Sequence, residues 1–166
     1  MIILCAVDER WNIGYQGDLL CKISADLKRF KKLTIGNIMI MGRKTFESLP
    51  GGKALPGRIN IVLTKNKNYV RDDIIVVNSL EELLICLNKI NPNNELTNYV
   101  IGGGEIVRQL LPYCSEAYLT KILKTFTEAD TNIPNLDLES GWLVTEETDL
   151  FTENGLTYKY TTYKQE

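Results

Sequence analysis

The sequence predicts an α/β fold in a single domain over residues 1–166, with a mostly parallel eight-stranded central sheet, about four flanking helices and an antiparallel hairpin at the C-terminus. Three observations predict it. Short β-branched runs alternate with helical stretches, the pattern of strands joined by crossover helices. Some runs are apolar at every position, as in Ile38-Met39-Ile40-Met41, which suits strands covered on both faces. The final segment instead alternates, and it turns at Asn154-Gly155, a pair that tolerates positive φ.

In chain order, Met1 to Val7 is the first strand: it is far too short to span a membrane, has no basic leader and runs straight into Asp8-Glu9-Arg10. Asp8 to Lys22, with Gly14 and Gly17, is a long irregular stretch of the kind used as a functional lid, although a plain surface loop would look the same. A helix follows from Ser24 to Leu33, with Ser24 in the N-cap role. Strands at Ile38 to Met41, Ile59 to Leu63 and Ile74 to Val77 come next, with a short helix from Thr45 to Leu49 between the first two. Helix Leu80 to Leu87, the polar loop Asn91 to Asn98, strand Tyr99 to Ile101, helix Glu105 to Leu111 and strand Tyr118 to Ile122 continue the alternation. The hairpin joins Leu143 to Leu150 with Thr157 to Tyr163. No repeat or low-complexity linker divides the chain.

Composition narrows the function. At 166 residues, folding buries roughly 70% of the unfolded surface, enough for one core. A net charge of -2 does not fit a protein that neutralises many phosphates, so no nucleic-acid partner and no membrane partner are expected. Cys5, Cys21, Cys86 and Cys114 lack C-x-x-C spacing, and Cys5 and Cys86 sit in apolar runs, which points to reduced, buried thiols and a cytoplasmic home. The chain contains no histidine, which excludes Ser-His, Cys-His and H-E-x-x-H chemistry, and no metal site is expected. With no long exposed apolar stripe in the pattern, a monomer is expected.

Four local features carry chemistry. Asp26 falls within the apolar arc of its helix, among Ile23, Leu27, Phe30 and Leu33, while Lys28, Arg29, Lys31 and Lys32 take the rest. A carboxylate aimed at a core needs hydrogen-bond donors, and a ligand can supply them; a simple first-turn acid on the helix dipole is the alternative. Gly102-Gly103-Gly104 lies between a strand and a helix, where backbone can approach a phosphate, but Val107 breaks G-x-G-x-x-G and rules out a Rossmann fingerprint. Gly42-Arg43-Lys44-Thr45 puts two cations at a helix start, against the macrodipole, an arrangement that makes sense around an anion; Leu63-Thr64-Lys65 ends the next strand at the same edge. Arg58, after Leu55-Pro56-Gly57, presents a guanidinium suited to a carboxylate, though a lone arginine after a turn is more often simply solvated.

Taken together, these motifs resemble dihydrofolate reductase of the chromosomal bacterial type over essentially the whole chain. The resemblance is carried by Ala6-Val7-Asp8, Ile13-Gly14, Ala25-Asp26-Leu27 with Phe30, Ile40 to Ser48, Leu55 to Arg58, Ile101 to Gly104, Tyr118-Leu119-Thr120 and Ala129-Asp130-Thr131, in that order. It implies hydride transfer from NADPH to C6 of dihydrofolate with protonation at N5, giving tetrahydrofolate for one-carbon metabolism. It implies that Asp26 is the catalytic acid, bonded to the 2-amino group and N3–H of the pterin, with Thr120 supporting it through water. Cys5, Ala6, Leu19, Phe30, Leu49, Leu55 and Ile101 would line the substrate site, which would also take antifolates, and Arg58 would hold the glutamate α-carboxylate. Ala6, Ile13, Gly14, Gly42, Arg43, Lys44, Thr45, Leu63, Thr64, Lys65, Ile101, Gly102, Gly103, Gly104, Glu105 and Ile106 would hold the cofactor, with Arg43, Thr64 and Lys65 at the 2′-phosphate and a cis Gly102-Gly103 peptide. Cys21 stands where the family usually has tryptophan, and Val107 where tyrosine is frequent. A pyrimidine reductase of riboflavin synthesis shares the expected fold and cofactor but needs no acid at residue 26. A folate- or nucleotide-binding module without turnover is the alternative from another class.

Overall fold

A computed structural model describes every residue from Met1 to Glu166. The chain runs β1 (Ile2–Val7), β2 (Asn12–Tyr15), β3 (Asp18–Leu19), α1 (Ser24–Thr34), β4 (Ile38–Gly42), α2 (Arg43–Glu47), β5 (Ile59–Leu63), β6 (Ile75–Val77) and α3 (Leu80–Ile90). It continues through β7 (Asn98–Gly102), α4 (Gly104–Leu110), β8 (Glu116–Ile122), β9 (Thr131–Asn132), β10 (Trp142–Glu147), β11 (Phe151–Glu153) and β12 (Leu156–Gln165). The central sheet has the order β10-β12-β8-β1-β7-β4-β5-β6, with β11 also on β12. All pairs from β8 to β6 are parallel, and β12 is antiparallel to β8. The expected mostly parallel sheet, closing hairpin and four helices are therefore present.

The unbroken apolar run of β4 is explained by where its residues go. Ile38 and Ile40 join Ile3, Ile61, Val100 and Leu119 in the cluster that takes in Leu83 of α3 and Val107 and Leu110 of α4. Met39 and Met41 point to the other face, where they pack with Val62, Phe46, Phe30 and Leu49. Ile38 to Met41, the first four of the five β4 residues, are fully buried, as a strand with period-two side chains between two layers must be.

Several expectations are corrected. Asp8 to Lys22 is not irregular: β2 and β3 form a hairpin around Gln16-Gly17 (φ +48° and +79°), and β9 adds on the other side to make a separate three-stranded sheet. The signal is weak in sequence because the strands are very short and β9 lies far along the chain. Asp8 anchors this unit, accepting hydrogen bonds from the backbone N–H groups of Arg10, Asn12 and Phe126 and from the Asn12 side chain. Ser24 does not cap α1; Ile23 holds the N-cap position without a side-chain bond, and the Glu153 carboxylate accepts from the N–H groups of Ser24 (2.5 Å) and Ala25 (3.2 Å). α2 begins at Arg43 instead of Thr45. The strand expected from Leu143 to Leu150 divides into β10 and β11, because the chain leaves the ladder after Thr148, whose hydroxyl accepts the Tyr160 N–H. Among the four free cysteines only Cys114 is fully buried, and Cys5 and Cys86 are half-buried. Leu143, Val144, Leu150 and Phe151 are exposed along the sheet edge, an apolar strip that β-strand alternation alone did not reveal.

Candidate active site

Three loops meet at one sheet edge. In register, Gly42 of β4 lies opposite Leu63 of β5, and Met41 opposite Gly102 of β7, so the turns after these strands are neighbours. Parallel strands bring their C-terminal ends together, and ligands gather there. Gly102 has φ +131°, and the Gly102-Gly103 peptide is cis, as the resemblance implied. Side chains at Gly102 and Gly103 would come 3.7 and 3.6 Å from Thr45 Oγ1, and at Gly102 also 3.8 Å from Ile13 Cδ1. Bare backbone, a hydroxyl and an apolar side chain thus share one recess. Other glycines have packing reasons. A side chain at Gly104 would collide with the Asn132 carbonyl, one at Gly42 would press on Ile106 (3.0 Å), and one at Gly14 would meet the Asp18 carbonyl (2.9 Å).

The charges around this recess come from two loops. Arg43 pairs with Glu47 within α2 at 3.1 Å, so an external anion is not required to explain it, contrary to the dipole argument. Lys44 and Lys65 are exposed and form no ion pair, and Thr64 sits half-buried beside Lys65. Glu105 is exposed in the first turn of α4.

The acidic side of the site lies across β1 and β8, where Ala6 pairs with Thr120. Thr120 Oγ1 donates directly to Asp26 Oδ1 at 2.5 Å. Burial pushes the Asp26 carboxyl above the usual carboxylate range, while the Thr120 bond and the Arg29 charge act in the opposite direction. The Cys5 thiol is pushed up to about 12 by burial and then by the Asp26 charge. Cys21 is raised by the same two causes in the same order, with Lys124 opposing. Tyr160 of β12 is pushed up to about 12, again by burial first and Asp26 next. All three lie within reach of the Asp26 charge. Cys21 and Tyr160 were not among the residues expected to line the site; the alternation of β12 places Tyr158 and Tyr160 on one face, but only the β8–β12 register brings Tyr160 opposite Thr120.

Phe30, Leu49, Leu55 and Ile101 gather on the Met39, Met41, Phe46 and Val62 cluster, so four of the expected substrate-lining residues form one wall. Ala6 packs instead with Ile23, Ile122 and Tyr158. Leu19 of β3 and Leu27 of α1 are 50% and 43% exposed, so neither is closed into the core. Arg58 is oriented by two bonds, from Nε to the Pro56 carbonyl (3.0 Å) and from Nη1 to Thr34 Oγ1 (3.2 Å), and its remaining N–H groups make no protein contact. Burial lowers its pKa somewhat. Asn60 braces the preceding turn by bonding both the N–H and the carbonyl of Leu55.

Sequence comparison matches residues 1–165 to the family model described as Dihydrofolate reductase. This chain belongs to that family. It is 39% identical over 163 residues to the dihydrofolate reductase of Bacillus subtilis (strain 168), covering 96% of this chain and 91% of that protein. It is 34% identical over 152 residues to the dihydrofolate reductase of Mycobacterium leprae (strain TN), covering 91% and 89%. Among solved structures, the dihydrofolate reductase from Enterococcus faecalis, complexed with NADP(H) and RAB-propyl, superimposes with a TM-score of 0.87 at 34% identity. That match covers 99% of this chain and 95% of the other. Every element described above therefore lies within the reductase fold.

Proposed function

We propose that this chain performs the reaction of its family, the NADPH-dependent reduction of dihydrofolate to tetrahydrofolate, with Asp26 as the acid that grips the pterin. The observation that carries the assignment is the Asp26–Thr120 pair: a partly buried carboxyl on α1, bonded across to β8, beside the wall of Phe30, Leu49, Leu55 and Ile101. Thr120 uses one lone pair of Oδ1, which leaves the other and both on Oδ2 to accept the 2-amino group and N3–H of a pterin. Such charge-assisted bonds fix the ring in its plane. A pyrimidine reductase substrate would make no use of this acid.

The residues present fit NADPH. Thr45 and the Gly102-Gly103 backbone form a recess that any side chain would narrow, while Arg43, Lys44, Thr64 and Lys65 supply hydroxyls and cations from the two adjoining loops. In this reading Arg43, Thr64 and Lys65 hold the 2′-phosphate, and Ala6, Ile13, Gly14, Leu63, Glu105 and Ile106 flank the rest of the cofactor. NADPH, when bound, supplies the hydride that adds at C6 of the pterin. Holding the two rings together provides much of the acceleration. Asp26 bonds the end of the pterin remote from N5, so the proton reaches N5 through water, and the carboxylate acts by orienting and polarising the ring. Arg58 receives the α-carboxylate of the glutamate tail through its uncommitted N–H groups.

The same proposal takes residues 1–166 as one domain acting as a cytoplasmic monomer with no nucleic-acid partner. The net charge of -2 supports the lack of a nucleic-acid partner and the four free thiols support the cytoplasmic setting. Mixing the protein with NADPH and dihydrofolate and following the loss of reduced-nicotinamide absorbance tests the activity. Steady consumption that requires both compounds is expected. Binding of either without turnover would overturn the assignment, and Asp26→Asn should remove most turnover while leaving NADPH affinity within about twofold.

A further inference from the structure

We infer that Glu153, at the tip of the C-terminal hairpin, is a positioning residue that sets the catalytic helix from outside it. The inference rests on the assignment of Asp26 to the pterin.

An α-helix begins with N–H groups that have no partner within the helix, and they are ordinarily met by the N-cap side chain. α1 begins after Ile23, which has no polar side chain, and the Ser24 hydroxyl does not take the role. The Glu153 carboxylate does, one oxygen accepting from Ser24 N–H at 2.5 Å and the other from Ala25 N–H at 3.2 Å, across a separation of more than a hundred residues. The next residue is Asp26. A two-point grip on the two preceding peptides fixes both the rotation of α1 about its axis and its travel along it, and those are the displacements that would move the acid off the pterin edge.

The hairpin is itself tied to the other end of the site. Glu153 pairs with Leu156, the first residue of β12, and Tyr160 further along β12 pairs with Thr120, the residue that bonds Asp26. The Arg29 guanidinium, one turn beyond Asp26, lies 4.1 Å from the centroid of the Tyr160 ring. The acid is therefore located from the β11–β12 hairpin at both ends: through Glu153 of β11 at the helix start, and through Tyr160 of β12, paired with Thr120 of β8, at the carboxyl. The loops proposed to hold the phosphates follow β4, β5 and β7, on the far side of β1, and none of these strands pairs with β11 or β12.

Glu153→Ala tests the inference, measured as kcat and KM for dihydrofolate beside the dissociation constant for NADPH. A displacement of the order of 1 Å costs up to about a hundredfold in rate, so kcat/KM for dihydrofolate should fall about ten- to a hundredfold. NADPH affinity should stay within about twofold. Glu153→Gln, which keeps one strong acceptor, should recover most of the loss, and Thr152→Ala, one residue away, should behave as the parent. Glu153→Asp, one methylene short, carries the same test should the alanine variant fail to fold, with an intermediate loss expected. Unchanged kcat/KM in Glu153→Ala, equal loss of NADPH affinity, or a glutamine variant as impaired as alanine would each overturn the inference. Asp26→Asn, assayed alongside, separates the two levels. If it keeps full turnover the site assignment itself fails, whereas if it is inactive while Glu153→Ala is unimpaired, only the positioning role fails.

Discussion

Replacing Thr120 by valine removes one hydroxyl from the middle of the site and almost nothing else. Thr120 is 2% exposed, and valine matches its shape, so no cavity opens. The bond lost is the 2.5 Å donation to Asp26, a length that belongs to hydrogen bonds between a hydroxyl and a charged oxygen. Such bonds contribute about 1.5–3 kcal/mol. Because this bond favours the ionised carboxylate, its loss moves the ionisation of Asp26 towards higher pH. Burial already acts in that direction, and in the variant only the Arg29 charge remains to oppose it. The variant should therefore show an acid limb of kcat/KM for dihydrofolate displaced to higher pH, with its deficit greatest at low pH and shrinking as the pH rises. Initial rates at saturating NADPH, taken from about pH 5 to pH 9, above the usual carboxylate range, read the limb directly. A limb that stays in place or moves towards acid would refute the claim that Thr120 supports the charged form. A loss of equal size at every pH would assign the hydroxyl to substrate contact instead.

Three further outcomes follow from the same geometry. Asp26→Asn should be more thermally stable than the parent at neutral pH: a carboxyl whose folded pKa is raised loses its stabilising contribution as pH rises through that value, and asparagine does not, so the gap in Tm should close in acid. A scan of Tm against pH checks it, and a gap that widens in acid would contradict the burial argument. Lys65→Ala should weaken NADPH binding while leaving NADH binding nearly unchanged, because Lys65 is a free cation beside Thr64 at the edge that β4 and β5 share; titrations with both nucleotides decide, and equal weakening of both would remove Lys65 from the 2′-phosphate. Phe46→Ala, at a fully buried ring of α2, should cost about 3–5 kcal/mol in a denaturant titration, and a loss under about 1 kcal/mol would show that the Met39, Met41 and Val62 layer collapses into the space.

The parallel strands were legible because a strand covered on both faces leaves a contiguous apolar run, and Ile38 to Met41 is one. Helices α1 and α3 were legible from their period, and the closing hairpin from Asn154-Gly155, both of which have positive φ as that turn demands. The small sheet was not legible. Its strands are two to four residues long, and β2 is completed by Thr131–Asn132, so the pairing is carried by contacts a local pattern cannot express. The N-cap of α1 failed for a related reason: Ser24 has the preferred chemistry at the preferred place, yet the N–H groups are taken by Glu153, a residue the chain brings near only after β11 turns into β12.

At the site, the divide between legible and illegible residues follows the reach of the interaction. Asp26 stood out because its position within an apolar arc is a property of one helix. Of the groups that act on its carboxyl, Arg29 is on the same helix but Thr120 is on β8, and the groups its charge acts on, Tyr160 on β12 and Cys5 on β1, are likewise brought near by sheet order. Arg43 shows the reverse error. Two cations at a helix start argue for an anion only while both are free, and Glu47, four residues on, satisfies one of them. That leaves Lys44 and Lys65, one on each loop, as cations without a direct ion pair, with Asp130 near enough to feel the Lys44 charge. If an anion is held at this edge, these two side chains should lose most of their mobility when NADPH binds, while Arg43 should exchange Glu47 for the ligand. Double substitution Arg43→Gln with Glu47→Gln therefore separates the roles: cofactor affinity should fall through the lost guanidinium alone, and Glu47→Gln by itself should leave it equal or slightly tighter, since the competing carboxylate is gone. Weaker NADPH binding in Glu47→Gln would mean that the intrahelical pair holds Arg43 in its binding position instead of competing for it.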